Sequence, residues 1–293
     1  MEYLLMMVSV LCSVTSSVLF RVYSNMNKNN GVSVYIYNAV GTVLWLPILA
    51  VVFWSMPGAV WTQTAVVYGF VYGATLFLYL FFNCKAMTTG PVSLTMMISA
   101  SCFIVATLFG VLYCKEAITP AQITGMVLML FALILCVNPR FSGEKLTKQW
   151  FLYALGFFAA NSGIGIIYKM FGSASSGNDY DAMLIVAAIV ATVLYLIFAK
   201  GEAIKNNTKE VVFARNKILI LMILSGILTC VFIRLNVMLS AVLPSALFFP
   251  VTSGSNVILC TVVGRFAFGE RLSGIQIFGI VMGLCAIVIS GCL

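Results

Sequence analysis

The chain has 293 residues, of which 62% are hydrophobic and 8% are charged, with a formal net charge of +8 and no histidine. A soluble domain carries roughly 25% charged residues, so this composition excludes an ordinary soluble protein and indicates one that lies in a bilayer. Without histidine, zinc sites that use imidazole and histidine general bases are also excluded.

Ten apolar segments follow one another along the chain, mostly with short connections. Each approaches the roughly 20 residues that a helix needs to cross a membrane, and none alternates as a β-barrel strand does. We therefore predict an all-α polytopic membrane protein with ten transmembrane helices. The first span is expected to stay in place, because Glu2 stands where a signal peptide carries Lys or Arg. The predicted spans are 2–20, 32–54, 64–83, 91–113, 119–137, 150–171, 181–199, 217–239, 245–267 and 273–292.

Two of the apolar stretches, residues 99–137 and 253–291, read as copies of one another. A single ungapped offset (270 − 116 = 154) pairs Glu116 with Glu270. It also pairs Ser99 with Ser253, Ser101 with Ser255, Thr107 with Thr261, Gly110 with Gly264, Gln122 with Gln276 and Gly125 with Gly279. Because an odd number of helices inverts the second copy, we predict two inverted five-helix repeats around a central cavity. The predicted division is 1–137 for the first repeat, 138–149 for a cytoplasmic linker and 150–293 for the second repeat.

Lysine and arginine concentrate in the loops after the first, third, fifth, seventh and ninth helices, whereas Lys115 is the one basic residue in a loop on the opposite side. The positive-inside rule makes the basic side cytoplasmic and puts both termini outside. We expect the chain in the cell membrane. The excess of positive charge reflects this topology, so the expected partners are the bilayer and a small-molecule substrate, with no nucleic acid.

Polar residues inside the predicted helices mark a candidate substrate site, because such groups are costly in a bilayer unless they are satisfied or bind something. The polar stretches 98–102 and 252–256 occupy matched positions and are expected to approach each other near the midplane. The candidate substrate-binding residues are Asn38, Tyr79, Ser99, Ser101, Asn161, Lys169, Arg234, Ser253, Ser255 and Asn256. Three alternatives stay open: small polar residues as helix-packing contacts, tyrosine in the interfacial belt, and the two cations reaching the outer headgroups.

The remaining features are interpreted structurally. Pro250 is expected to kink the ninth helix, and Glu116 and Glu270 are expected to accept hydrogen bonds from free N–H groups at the start of helices five and ten. No carboxylate lies in the middle of a helix, so coupling to protons through a buried acid is disfavoured. Two small-residue motifs, Gly69-x-x-x-Gly73 and Gly279-x-x-x-Gly283, predict close helix packing within the chain or, alternatively, a homodimer contact.

The segments KEAITPAQITG at 115–125 and GERLSGIQIFG at 269–279 resemble the EamA-type domain of the drug/metabolite transporter superfamily. The resemblance covers the whole chain and implies a five-plus-five bundle with a central cavity, in which Glu116 and Glu270 close the fourth helix of each repeat and Gly125 and Gly279 open the body of the fifth. Known members move amino acids, nucleotide sugars, phosphorylated sugars and amines. The chain departs from the family pattern at Phe103 and Val257, where proline is usual, and at Lys115, where glycine is usual.

The resulting hypothesis is a carrier for a small polar or amphipathic metabolite that works by alternating access, without catalytic residues, cofactor or metal. An intramembrane enzyme is disfavoured, because the chain has no HExxH or G-x-S-x-G motif. Two alternatives remain: a transporter or flippase of a lipid-linked substrate, and a receptor or scaffold that transports nothing.

Overall fold

A computed structural model describes residues 1–26, 31–90, 95, 98–137, 147–175, 177–205, 216–268 and 273–291. These residues are predominantly helical, and no strand occurs among them. The helices are α1 (Glu2–Met26), α2 (Gly31–Ser55), α3 (Gln63–Thr89), α4 (Phe103–Leu112), α5 (Pro120–Val137), α6 (Lys148–Ala174), α7 (Tyr180–Lys205), α8 (Asn216–Val242), α9 (Ser245–Phe268) and α10 (Gly274–Gly291).

Within the described residues, 7 helices are long and apolar enough to cross a membrane, which fits a membrane protein. They are α1, α2, α3, α6, α7, α8 and α9. The other three apolar helices are shorter and cover Ile98–Leu112, Pro120–Cys136 and Gly274–Ser290. Most helices begin and end within three residues of the predicted spans. Three of them, α1, α3 and α7, end six residues beyond the predicted span, and the fourth span is described only from residue 98, apart from residue 95.

The chain forms two compact units, and each unit takes helices from both predicted repeats. The first unit comprises Met1–Phe77 and Ala174–Met238, and the second comprises Leu78–Ser173 and Leu239–Leu293. The predicted repeats, 1–137 and 150–293, rest on sequence similarity and do not coincide with these units. The division into repeats stays a prediction.

In the first unit, α2 packs along α7, and α3 approaches α7 through glycines. A Cβ atom added at Gly69 would lie 2.6 Å from the Met183 carbonyl oxygen, and one at Gly73 would lie 2.6 Å from that of Ala187. This Gly-x-x-x-Gly motif is therefore occupied by packing within the chain, and it does not support the homodimer alternative.

In the second unit, α5 packs along α10 with glycines at both contacts. A Cβ at Gly125 would lie 3.1 Å from the Ala286 carbonyl oxygen, and a Cβ at Gly279 would lie 3.1 Å from that of Ala132. The offset of the sequence repeat exchanges these two contacts, since 279 − 125 and 286 − 132 both equal 154. Such reciprocal contacts are typical of elements related by a two-fold axis.

The starts of α5 and α10 carry the same capping structure. The Thr119 backbone N–H donates to Gln122 Oε1 at 3.1 Å, while the Gln122 N–H donates back to Thr119 Oγ1 at 3.3 Å. Ser273 and Gln276 make the same two hydrogen bonds at 3.0 and 3.3 Å. Both are capping boxes, which satisfy free N–H groups in the first turn of a helix.

Candidate functional site

The turn that leads into α4 is tightened at Ser99 and Ser101, which the sequence marks as polar. The Cys102 backbone N–H donates to the Ser99 carbonyl at 3.1 Å, and the Ile104 N–H donates to the Ser101 carbonyl at 3.1 Å. These bonds span three residues rather than four, so the turn before Phe103 is 3₁₀-like. A tight turn of this kind within a helix often marks a functional hinge.

Asn161 on α6 meets this turn directly. Its side-chain Nδ2 donates to the Ser99 carbonyl at 3.1 Å and to the Ser99 hydroxyl at 3.0 Å. Ser99 is buried and Asn161 half-buried. The structure thus brings two of the candidate residues together, and the amide occupies part of the hydrogen-bonding capacity of the turn.

The matched polar stretch lies on α9, in the same unit, and α9 packs against α4. Ser253, Ser255 and Asn256 are half-buried, as is Ser101 in the turn before α4. The Cys260 thiol donates to Asn256 Oδ1 at 3.3 Å along the same helix. These residues thus lie on, or directly before, two helices that pack together in one unit, while a role in binding a substrate stays a prediction.

The expected kink at Pro250 stays a prediction. Pro250 is buried inside α9, which is helical from Ser245 to Phe268. In the matched segment, residues 99–105 depart from α-helical bonding. Two other candidates make local contacts: the Tyr79 ring lies 5.1 Å from that of Phe157, and the Asn38 amide donates to the Val34 carbonyl of its own helix at 2.9 Å.

Lys169 forms a buried ion pair in the second unit. Its Nζ donates to Glu116 Oε1 at 2.5 Å and to the Leu243 carbonyl at 2.9 Å, and its side chain is only 6% exposed. The opposite carboxylate oxygen, Oε2, accepts the Ser245 backbone N–H at 2.7 Å. Lys169 therefore does not extend to the headgroups, and its charge is matched inside the protein.

Glu116 accepts a helix N–H, as expected, but at a different helix. It binds the first residue of α9, whereas the start of α5 is capped by Gln122. Burial raises the pKa of Glu116. The hydrogen bonds from Lys169 and Ser245 and the nearby ammonium lower that pKa by more, so the carboxyl is a stronger acid than usual. Glu270, its counterpart in the repeat, lies outside the described residues.

Arg234 is paired in the first unit. Its Nε donates to Asp181 Oδ1 at 2.7 Å and its Nη2 donates to Oδ2 at 3.2 Å, a two-point contact. Asp179, two residues before, accepts the Thr62 hydroxyl at 2.6 Å and also the Ser175 hydroxyl. The sequence placed these acids at a helix end, but it gave no signal for the partner of either one.

Three buried polar atoms of the second unit have no hydrogen-bond partner among the described residues. They are Asn83 Oδ1, Ser162 Oγ and Ser245 Oγ. Ser162 and Ser245 are 4% and 0% exposed. Buried polar atoms are nearly always paired, so these positions are the ones most in need of a partner. The sequence marked Asn161, the neighbour of Ser162, as a candidate, but it gave no signal for Ser245.

No family model and no curated protein matches the chain. Among solved structures, one described only as "Crystal structure of protein" is similar along nearly the whole length of both chains. The similarity has a TM-score of 0.75 at 13% sequence identity, and it covers 99% of this chain and 96% of the other. At this identity the similarity shows a shared fold alone.

Proposed function

We propose that the chain is a secondary carrier that moves a small polar or amphipathic metabolite across the cell membrane by alternating access. In this proposal the ten apolar segments form two inverted five-helix repeats of the EamA type, with both termini outside. Catalysis, cofactors and metals have no part in it.

The observation that carries the proposal is the tightened turn at Ser99–Cys102, directly before α4. Asn161 donates a hydrogen bond to the Ser99 carbonyl in this turn. Transporters commonly build their sites from interrupted helices, because freed backbone groups in the membrane can bind a substrate. The matched polar residues of α9 lie in the same unit, on a helix packed against α4.

Three further observations support the repeat architecture. The glycine contacts of α5 and α10 are exchanged by the sequence offset. The two capping boxes at the starts of these helices are also related by it. In addition, helices at corresponding positions of the repeats pack together: α2 with α7, α4 with α9, and α5 with α10.

The test is to screen purified protein for thermal stabilisation by anionic, zwitterionic and cationic metabolites, and then to measure uptake of each hit into proteoliposomes. A ligand at about a hundred times its dissociation constant adds roughly 2.7 kcal/mol of stability. We expect Ser101→Ala and Asn256→Ala to reduce uptake without loss of folding. Leu108→Ala, at a position 50% exposed on α4, serves as the control.

Stabilisation without uptake would favour a receptor. Equal loss of folding in all three variants would contradict the assignment of Ser101 and Asn256 to the substrate site.

One feature favours the alternative of a lipid-linked cargo. An open groove of about 300 Å³ lies between α2 and α7 of the first unit and is lined by apolar side chains. These are Ile36, Ala39, Val40, Val43, Leu44 and Leu196. Such a lining suits a hydrocarbon chain rather than a polar metabolite. Protection of a cysteine introduced at Val40 by a long-chain lipid, but not by soluble metabolites, would support this alternative.

A further inference from the structure

The surroundings of Glu116 have the composition of an anion-binding site. Lys169 supplies a buried ammonium group, and α9 presents the backbone N–H of its first residue, Ser245. The N-terminus of a helix favours negative charge because its free N–H groups point outward along the helix dipole. Both donors converge on one carboxylate.

The Ser245 hydroxyl provides a second, independent observation. It is fully buried, and it has no hydrogen-bond partner among the described residues. A Cβ added at Gly110 would lie 2.0 Å from this hydroxyl and 3.0 Å from Glu116 Oε2, so the hydroxyl packs against the glycine next to the carboxylate. The Ser245 hydroxyl is therefore a third polar group at the site, beside the ammonium and the backbone N–H.

We propose that Lys169, the Ser245 N–H and the Ser245 hydroxyl form a site for a small carboxylate-bearing ligand, and that Glu116 occupies this site until such a ligand displaces it. Glu116 is the more accessible member of the pair, with its side chain 20% exposed against 6% for Lys169. It is also carried by the segment between α4 and α5 rather than by a helix. Movement of Glu116 alone would open the ammonium and the helix terminus to a ligand.

The Leu243 carbonyl also belongs to the surroundings of Lys169. The Leu243 carbonyl holds Lys169 in place through its 2.9 Å hydrogen bond, so the ammonium stays directed at the site after Glu116 leaves. An ammonium without any counter-ion is strongly disfavoured when buried. The ligand must therefore bring a negative charge of its own, which selects carboxylates over neutral or cationic molecules.

The experiment is chemical rescue with acetate, which matches the group that Glu116→Ala removes. Thermal unfolding of the purified full chain is followed during titration with sodium acetate, at ionic strength held constant with sodium chloride, which carries no carboxylate. We expect a saturable rise of a few degrees in the unfolding midpoint of E116A. Wild type should show the same rise at roughly tenfold higher acetate or more, because its tethered carboxylate competes at a high effective concentration.

Two control variants identify the site. K169M combined with E116A should abolish the acetate response, because it removes the ammonium. Gly110→Ala combined with E116A should weaken the response, because the added Cβ displaces the Ser245 hydroxyl. If E116A does not fold, E116Q is titrated in its place with the same K169M control.

An acetate response that survives K169M would overturn the site. A response found in E116A but absent from wild type at every concentration would overturn the displacement by a ligand. The inference does not depend on transport, since it is tested by binding alone. Its failure would leave the carrier proposal standing, and a failure of uptake would leave the anion site standing.

Discussion

Asn161 donates its side-chain amide to two oxygens of a single residue, Ser99, at 3.1 and 3.0 Å. The contact joins α6 to the tightened turn that precedes α4. Because the amide binds the backbone carbonyl as well as the hydroxyl, the two residues do not contribute equally to it.

We therefore expect Asn161→Ala to destabilise the protein more than Ser99→Ala does. The first change removes both hydrogen bonds, whereas the second removes only the bond to the hydroxyl. Interhelical hydrogen bonds in membrane proteins average about 0.6 kcal/mol and reach about 1.7, so we expect losses of about 1 to 2 kcal/mol and about 0.5 kcal/mol. Thermal unfolding in detergent measures both. A Ser99→Ala loss as large as that of Asn161→Ala would show that the carbonyl contact is unimportant.

The ion pair of Glu116 gives stability a specific pH dependence. The pKa of Glu116 in the folded protein lies below its ordinary value of 4.5. The unfolded chain then binds the proton more readily than the folded chain. The stabilisation is accordingly present in full above about pH 4.5 and is lost as the pH falls through the lowered pKa.

We expect the unfolding midpoint of wild type to fall more steeply than that of Glu116→Gln as the pH falls below about 4.5. The glutamine variant keeps the volume of the side chain but cannot titrate, so it serves as the matched control. The two midpoints should converge at the acid end. Parallel curves over the whole range would contradict the ionised state of Glu116 in the fold.

How far the sequence predicts these features depends on the range of the interactions. Helix positions follow from local apolar runs, so most predicted spans agree with the structure within a few residues. The partner of Lys169 is Glu116, 53 positions away, and no local pattern links them. The capping boxes Thr119–Gln122 and Ser273–Gln276 did have a local signal, an S/T-x-x-Q pattern. The repeat pairs the two glutamines, but this pairing alone does not indicate that they cap helices.

The turn at Ser99–Cys102 shows a second limit. Proline changes a helix through the hydrogen bond that it cannot donate, and Pro250 was the only sequence signal for a break. The turn at Ser99–Cys102 carries no proline, and the amide of Asn161 contacts it from another helix. A departure from α-helical bonding that involves such a tertiary contact has no local signal in the sequence.

Lys115 adopts a left-handed backbone conformation, with φ of 54°. This conformation costs a residue with a side chain roughly 1 kcal/mol or more, and it costs glycine nothing. This backbone conformation therefore favours glycine, and Lys115 occupies the position at a cost in stability.

We expect Lys115→Gly to raise the free energy of unfolding by about 0.5 to 1 kcal/mol. Lys200→Gly, an exposed position inside α7, is the control and should lower it by about 0.5 to 1 kcal/mol. Thermal unfolding of both variants separates local strain from a general effect of removing a lysine. A loss of stability in both variants would contradict the strain at Lys115.

The contact of Gly125 with α10 leaves no room for a side chain. A Cβ at Gly125 would lie 2.0 Å from Ser290 Oγ and 3.2 Å from Ser290 Cβ. We expect Gly125→Ala to cost about 1 to 3 kcal/mol through overpacking. Adding Ser290→Ala should recover most of the loss, because it removes the nearest atom.

Gly201 provides the matched control, since a Cβ there meets nothing within 4 Å. Gly201→Ala should stabilise α7 by about 0.5 to 1 kcal/mol, the usual gain from replacing glycine inside a helix. Opposite signs at Gly125 and Gly201 would confirm that close packing of α5 on α10 requires glycine. If Ser290→Ala fails to rescue Gly125→Ala, then the strain lies in the backbone of α10, where the Ala286 carbonyl is 3.1 Å from the added Cβ.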